Sequence, residues 1–254
     1  MPERANRMAV VLAAGKGTRM ESDLPKVLYP VGGRPMIEWV LDALEKVDVV
    51  RVLLVVGYRS DLVREKLAHR SCIEFVEQTE RLGTGHAVKI CRDHLADHSG
   101  AVLIVTGDSP LIQPASVNAL FDVFDREKPA AIIGTLHKEN PYGLGRIVRD
   151  DEDRFLRIVE EKDATEAERG ITEVNMSTYV FNAVDLVSAL DRLRNDNRQG
   201  EYYITDCPGI LRDDGASVRA LACLAPCEAL SINTVAEAAI VEQTMKELDY
   251  RIEL

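Results

Sequence analysis

The run Leu12-Ala13-Ala14-Gly15-Lys16-Gly17-Thr18-Arg19-Met20, followed by Lys26 in Leu24-Pro25-Lys26-Val27-Leu28, holds the clearest chemistry in the chain. Glycines let a backbone approach a ligand closely, and successive N–H groups in such a loop cradle phosphate oxygens. The spacing is not that of a Walker A loop, since no Gly-Lys-Ser/Thr stands four residues after a glycine. Nor is it the dinucleotide fingerprint, because Met20 occupies the place of the third glycine. A plain strand-to-helix turn is the rival reading of the glycines. Two cations sharpen the signal. Arg19 closes the loop, and Pro25 fixes its own φ while biasing Leu24 toward extended geometry, so Lys26 is held on a stiff segment. One such cation alone is ordinarily a solvated surface charge; two around a glycine loop at a strand end suit a triphosphate better.

The elements that must position these residues follow from hydrophobic period. Residues 8–13 form a continuous apolar run, which reads as a buried strand. Residues 51–57, 72–77 and 101–106 predict further strands. Helical spacing covers 35–47, 61–69, 84–95 and 114–126. Strands alternating with helices imply a doubly wound, mostly parallel sheet with helices on both faces. Ligands of such sheets sit at the carboxyl ends of the strands, so the loops after Ala13, Gln78 and Thr106 are expected to line one crevice. After Pro129 the pattern turns β-rich, with strands expected at 130–135, 146–149, 154–160, 174–182 and 217–223. An exposed loop is expected at 163–170, and helices at 183–194, 205–213 and 235–254. No Gly-, Ser- or Pro-rich linker divides the 254 residues. One α/β domain with a β-rich insertion is expected, residues 8–128 handling nucleotide, 129–233 the second substrate, and 234–254 forming a terminal helix.

Charge narrows the partners. Asp and Glu number 42 against 31 Lys and Arg, a net charge of −11. Such a surface repels nucleic acid and anionic lipid, yet a local basic pocket can still hold a small phosphorylated ligand. The polar start leads straight into a short apolar run, and nothing approaches the ~18 apolar residues of a membrane span. Five cysteines, at 72, 91, 207, 223 and 227, form no CxxC pair, which fits a reduced cytoplasmic protein. Cys91, His94 and His98 would share one face of the expected helix and could present three soft ligands. No fourth ligand accompanies them, so an inward thiol with two solvated imidazoles is favoured over zinc.

The run Leu12 to Leu28 resembles the signature of sugar-1-phosphate nucleotidyltransferases. Further motifs are similar to the uridylyltransferase domain of bacterial N-acetylglucosamine-1-phosphate uridylyltransferases. They are Gln78-Thr79-Glu80-Arg81-Leu82-Gly83-Thr84-Gly85-His86-Ala87, Gly107-Asp108-Ser109-Pro110-Leu111, Gly145-Arg146-Ile147-Val148, the segment from Ile158 to Ala164, Glu173-Val174-Asn175, Glu201-Tyr202-Tyr203-Ile204-Thr205-Asp206 and Ile232-Asn233. Together, in order and over nearly the whole chain, they are highly specific. The resemblance implies a Rossmann-like fold of the nucleotide-diphospho-sugar transferase type. It implies conversion of UTP and a sugar-1-phosphate into a UDP-sugar and pyrophosphate, with N-acetylglucosamine-1-phosphate as the first expectation.

The same resemblance assigns roles. Backbone groups of Leu12, Ala13, Ala14, Gly15 and Gly17 meet the nucleotide, and Gln78, Gly83 and Thr84 read the uracil. Arg19 and Lys26 stabilise phosphate charge, with Asp108 the third catalytic residue. Asp108 and Asn233 hold Mg²⁺, with Mn²⁺ a possible substitute, since Mg²⁺ takes one or two hard oxygens from protein and the rest from phosphate and water. Gly143, Glu160 and Asn175 meet the hexosamine. Helix capping is the rival role for Asp108 and Asn233, and His86 is expected to order its loop rather than act as a base. Three departures touch the sugar region: Leu144 and Thr106 stand where the family has tyrosine, and Met176-Ser177 where it has Thr-Gly. The hexapeptide repeats of the bifunctional members are not found in the chain, so acetyl transfer is not expected. Other nucleotidyltransferases, a dTTP-dependent one among them, and a catalytically idle nucleotide-sugar sensor are the rivals.

Overall fold

A computed structural model describes residues 7–20 and 22–250. Strand β1 (Arg7–Leu12) leads through the glycine loop into a two-stranded hairpin, β2 (Pro30–Val31) and β3 (Arg34–Pro35). Then come α1 (Met36–Glu45), β4 (Val49–Val56), α2 (Ser60–Lys66), β5 (Ile73–Glu77), α3 (Thr84–Lys89), α4 (Arg92–Ala96), β6 (Ala101–Thr106) and α5 (Pro114–Glu127). The second half holds β7 (Ala131–His137), β8 (Gly145–Arg149), β9 (Phe155–Val159), α6 (Glu166–Arg169), β10 (Glu173–Asn182), α7 (Ala183–Asp191), α8 (Asp206–Asp213), β11 (Val218–Ala222) and α9 (Val235–Glu247).

The sheet runs β11-β7-β10-β6-β1-β4-β5. β1 pairs parallel with β4 and β6, β4 with β5, and β7 with β11; β10 alone runs antiparallel to its neighbours β6 and β7. The sheet is therefore mostly parallel, as expected. The β-rich insertion is the hairpin β8–β9, which hangs from β10, while β7, β10 and β11 extend the central sheet. Alternation along β1 shows why both faces are apolar. Ala9 and Val11 join a core under α1, α2 and α5. Met8 and Val10 join another under α3, α4, α7 and α8. Each fully buried Val or Met contributes ~1.5–3 kcal/mol by leaving water.

Several expectations are corrected. The helix expected at 84–95 is two helices, because Cys91 N–H bonds the Val88 carbonyl three residues back and tightens the turn between them. Cys91 is buried and directs its thiol at the Ala87 carbonyl, and His94 lies beside Arg51 and Glu74. His98 lies beyond the end of α4, buried with its Nε2 3.3 Å from the Ala101 carbonyl. The three side chains share no face, and His98 is not the solvated imidazole expected. The loop expected at 163–170 contains α6, started by a capping box in which Thr165 and Glu168 satisfy each other's backbone N–H groups. The terminal helix stops at Glu247: Asp249 takes a left-handed φ of 43°, and Tyr250 folds back to donate its hydroxyl to the Ile112 carbonyl. Residues 251–254 of that expected helix lie outside the described residues. Among the described residues, no helix is long and apolar enough to cross a membrane.

Candidate active site

Because β1, β5 and β6 point the same way, the loops at their carboxyl ends meet. They line a cleft of about 290 Å³. Leu12, Ala14 and Gly15 come from the first loop, Gln78, Arg81, Gly83, Thr84 and Ala87 from the second, Thr106 and Asp108 from the third; Glu201 closes one side. Ala13 donates its N–H to the Val55 carbonyl at 2.8 Å, which ties its backbone to the sheet and leaves Ala14 and Gly15 on the cleft wall.

At the β6 end, Lys26 Nζ donates to the Asp108 carboxylate and, at 2.7 Å, to Asn233 Oδ1. Lys26 is only 11% exposed at its side chain and Asp108 23%. The glycine loop makes room for this lysine: a Cβ on Gly17, whose φ is +67°, would stand 2.7 Å from Lys26 Cβ. The capping rivals fail. Helix α5 begins after Gln113 rather than at Asp108. Thr234 caps α9, which leaves the Asn233 amide free to face the lysine. Two hard oxygens thus converge on one cationic point. Arg19 stands exposed on the turn Thr18–Met20 and is not part of the cleft lining.

At the β5 end, Gln78 is buried. Its Nε2 reaches the Gly83 carbonyl at 3.4 Å and His86 Nδ1 at 3.1 Å, so His86 orders this loop as expected. Gly83 has φ +106°, and a Cβ there would lie 2.5 Å from the Tyr202 carbonyl oxygen. The close approach lets Gly85 N–H donate to that oxygen and Tyr202 N–H donate to the Leu82 carbonyl. Thr84 Oγ1 accepts the Ile204 N–H at 3.2 Å. The segment from Glu201 to Asp206 is therefore sewn to the second loop.

The three expected sugar contacts lie outside the cleft lining. Glu160 accepts the Thr205 hydroxyl at 2.9 Å, and burial raises its carboxyl above the ordinary range, with Asp163 and Glu201 adding to the rise. Asp206 is pushed up to about 6 by burial and by the neighbouring Glu160. Asn175 donates to the Tyr179 hydroxyl at 2.8 Å and accepts the Ser177 N–H at 3.2 Å. Gly143 gives its N–H to Glu161, which also receives Arg146. Of the departures, Leu144 and Met176 pack with Leu136, Val174 and Leu224, so their bulk fills a small core. Thr106 lines the cleft, its Oγ1 3.0 Å from Ser109 Oγ. Arg81 and Glu201 are the charged cleft residues for which the sequence reading has no role. Both sit inside the quoted motifs, and their types alone carry no sign of a ligand.

The family model for the MobA-like NTP transferase domain matches residues 9–204. The bifunctional protein GlmU of Streptococcus sanguinis (strain SK36) is 44% identical over 238 residues, covering 94% of this chain and 51% of that protein. GlmU of Lactococcus lactis subsp. cremoris (strain MG1363) is 43% identical over 242 residues, covering 95% and 52%. The chain spans about half the length of the curated relatives it matches. A solved UDP-glucose pyrophosphorylase in complex with UDP-glucose superposes with a TM-score of 0.78 over 96% of this chain and 99% of that one, at 14% identity, a likeness of fold.

Proposed function

We propose that this chain, which belongs to the MobA-like NTP transferase family, forms a UDP-sugar and pyrophosphate from UTP and a sugar-1-phosphate, with N-acetylglucosamine-1-phosphate the leading sugar. The observation that carries the reading is the meeting of Lys26, Asp108 and Asn233 beside a cleft walled by the glycine loop and the Gln78–Gly83 turn. In this reaction an oxygen of the sugar phosphate attacks the α-phosphorus in line, and the bond to pyrophosphate breaks. The protein has little covalent work, so positioning and charge neutralisation dominate.

In this reading Ala14 and Gly15 lie against the nucleotide, while Gln78, Gly83 and Thr84 meet the edge of uracil. With its Nε2 turned to Gly83 and His86, Gln78 keeps its Oε1 to accept from the uracil N3–H. Lys26 and Arg19 balance phosphate charge. Asp108 and Asn233, one carboxylate and one amide oxygen already facing a common cation, fit a divalent ion such as Mg²⁺ or Mn²⁺, which when bound would draw electron density from the phosphates. Glu160 and Asn175 lie outside the cleft lining and offer groups suited to the hydroxyls and acetamide of the sugar. The test is incubation with each nucleoside triphosphate and a panel of sugar-1-phosphates, reading pyrophosphate. UTP with N-acetylglucosamine-1-phosphate is expected to lead; no release with any pair would overturn the reading.

A further inference from the structure

Among the described residues nearly every arginine is engaged. Arg51 grips Glu74, Arg149 grips Glu173, and Arg92 and Arg192 hold Asp191 and Asp214. That is expected where 42 acidic residues outnumber 31 basic ones. Among the described residues, Arg19, Arg81 and Arg194 are the arginines that form no hydrogen bond or ion pair with another described residue. Arg19 follows the glycine loop, and Arg81 lines the cleft itself. A guanidinium that stays without a carboxylate on so acidic a molecule, at the wall of its candidate site, is held in reserve for a ligand.

Which part of the ligand it meets follows from its place. Arg81 sits between Gln78 and Gly83, on a turn that Gly83 and Gly85 pin to Tyr202. The cation and its oxygens, Lys26, Asp108 and Asn233, gather at the β6 loop instead. Glu201 shares the wall with Arg81, and a phosphate brought to that end would face its carboxylate. A flat, uncharged ring suits the position better. Guanidinium is planar, delocalised and weakly hydrated, and it stacks on π faces. We propose that Arg81 lays its guanidinium on the face of the pyrimidine and closes the base end of the cleft. The inference rests on the uridylyl reading above and assigns it a binding residue that acts by stacking, beside the edge contacts of Gln78.

The experiment is isothermal titration of the full chain and of its Arg81→Ala and Arg81→Lys variants with UTP, UMP and uridine, at low and high salt. Arg81 is exposed, so both variants should keep the wild-type melting temperature. Base stacking implies that Arg81→Ala weakens all three ligands by the same factor, about tenfold. Lysine, which has the charge without the plane, should restore little, and salt should leave the factor unchanged. Unaltered binding would overturn the role. So would a loss that grows from uridine to UTP, shrinks in salt and is rescued by lysine, since that pattern places Arg81 on phosphate. Wild-type protein that binds another nucleoside triphosphate and not UTP would instead overturn the uridylyl reading, and the inference with it.

Discussion

Lys26 joins residues that are remote in the chain: it meets Asp108 across 82 positions and Asn233 across 207. The types were legible in sequence, because a stiffened lysine after a glycine loop, an Asp at a strand end and a lone Asn before a helix each invite a role. Their convergence on one point came only from the resemblance, which gives Asp108 and Asn233 a shared cation; nothing local says that Asn233 returns to the first loop. Removing one oriented charge from a transition state costs ~10²–10³ in kcat. Lys26→Ala is therefore expected to lose that much while keeping its fold; wild-type turnover in the folded variant would end the assignment. Asp206 offers a second test at this scale. Its folded pKa, about 6, lies above the ordinary value of 3.8. The folded state thus holds the proton more tightly, and stability falls as pH rises from about 4 to about 6 and stays reduced above that. Asp206→Asn should remove this cost, which is on the order of 1 kcal/mol after allowance for solvent screening. The variant should melt higher than wild type at pH 8 and nearly level with it at pH 4. An equal gain at both would show that the carboxyl is not the cause.

Elements built on long apolar runs were read well, because burial on both faces of a parallel sheet leaves little choice of residue. β1, β4 and β6 begin or end within a residue or two of the expected strands. Short elements set by turn chemistry were missed. The hairpin β2–β3 turns on Gly32 and Gly33, both at positive φ, and α6 depends on the Thr165–Glu168 capping box. Strand β10 carries a subtler feature. Its register slips between Asn175 and Thr178, and Ser177 takes φ 53° in that bulge. The resembling family has glycine there, which the left-handed backbone explains. Serine is tolerated, and its N–H donates to Asn175 Oδ1, the amide whose Nδ2 donates to the Tyr179 hydroxyl. Ser177→Val should cost about 1–2 kcal/mol, since a β-branched residue resists positive φ. Ser177→Gly should be at least as stable as wild type, since glycine takes this φ without strain. Chemical denaturation checks the order, and a valine variant as stable as serine would refute it.

At the scale of the whole molecule, the last segment of the chain is part of the first loop's support. Ile232 N–H donates to the Asp108 carbonyl at 3.0 Å, and Asn233 Oδ1 receives Lys26. Just after them, Ala238, Val241 and Met245 of α9 pack on Met20, Val31, Met36 and Leu111. Tyr250 closes the far end on Ile112, its ring tilted against that of Trp39 with centroids 5.9 Å apart. That the residues after Thr234 form a helix was readable, but the surface it would cover was not, because its partners Met20, Val31, Met36 and Leu111 are scattered through the first half of the sequence. The consequence is a thermodynamic coupling. A ligand that binds where Lys26, Asp108 and Asn233 meet favours the state in which α9 is docked, since undocking would pull Asn233 from the site. Binding only that state stabilises it by RT ln(1 + [L]/Kd), about 2.7 kcal/mol at a hundredfold excess over Kd. Amides of α9 that exchange through local undocking should therefore slow in the presence of UTP and a divalent cation, by up to about a hundredfold. Those of β5, at the opposite edge of the sheet, should change less. Hydrogen exchange read by mass spectrometry decides it. Unchanged exchange in α9 at saturating ligand would mean that the helix holds its place independently of the site, and that Asn233 reaches the cation from a segment already fixed.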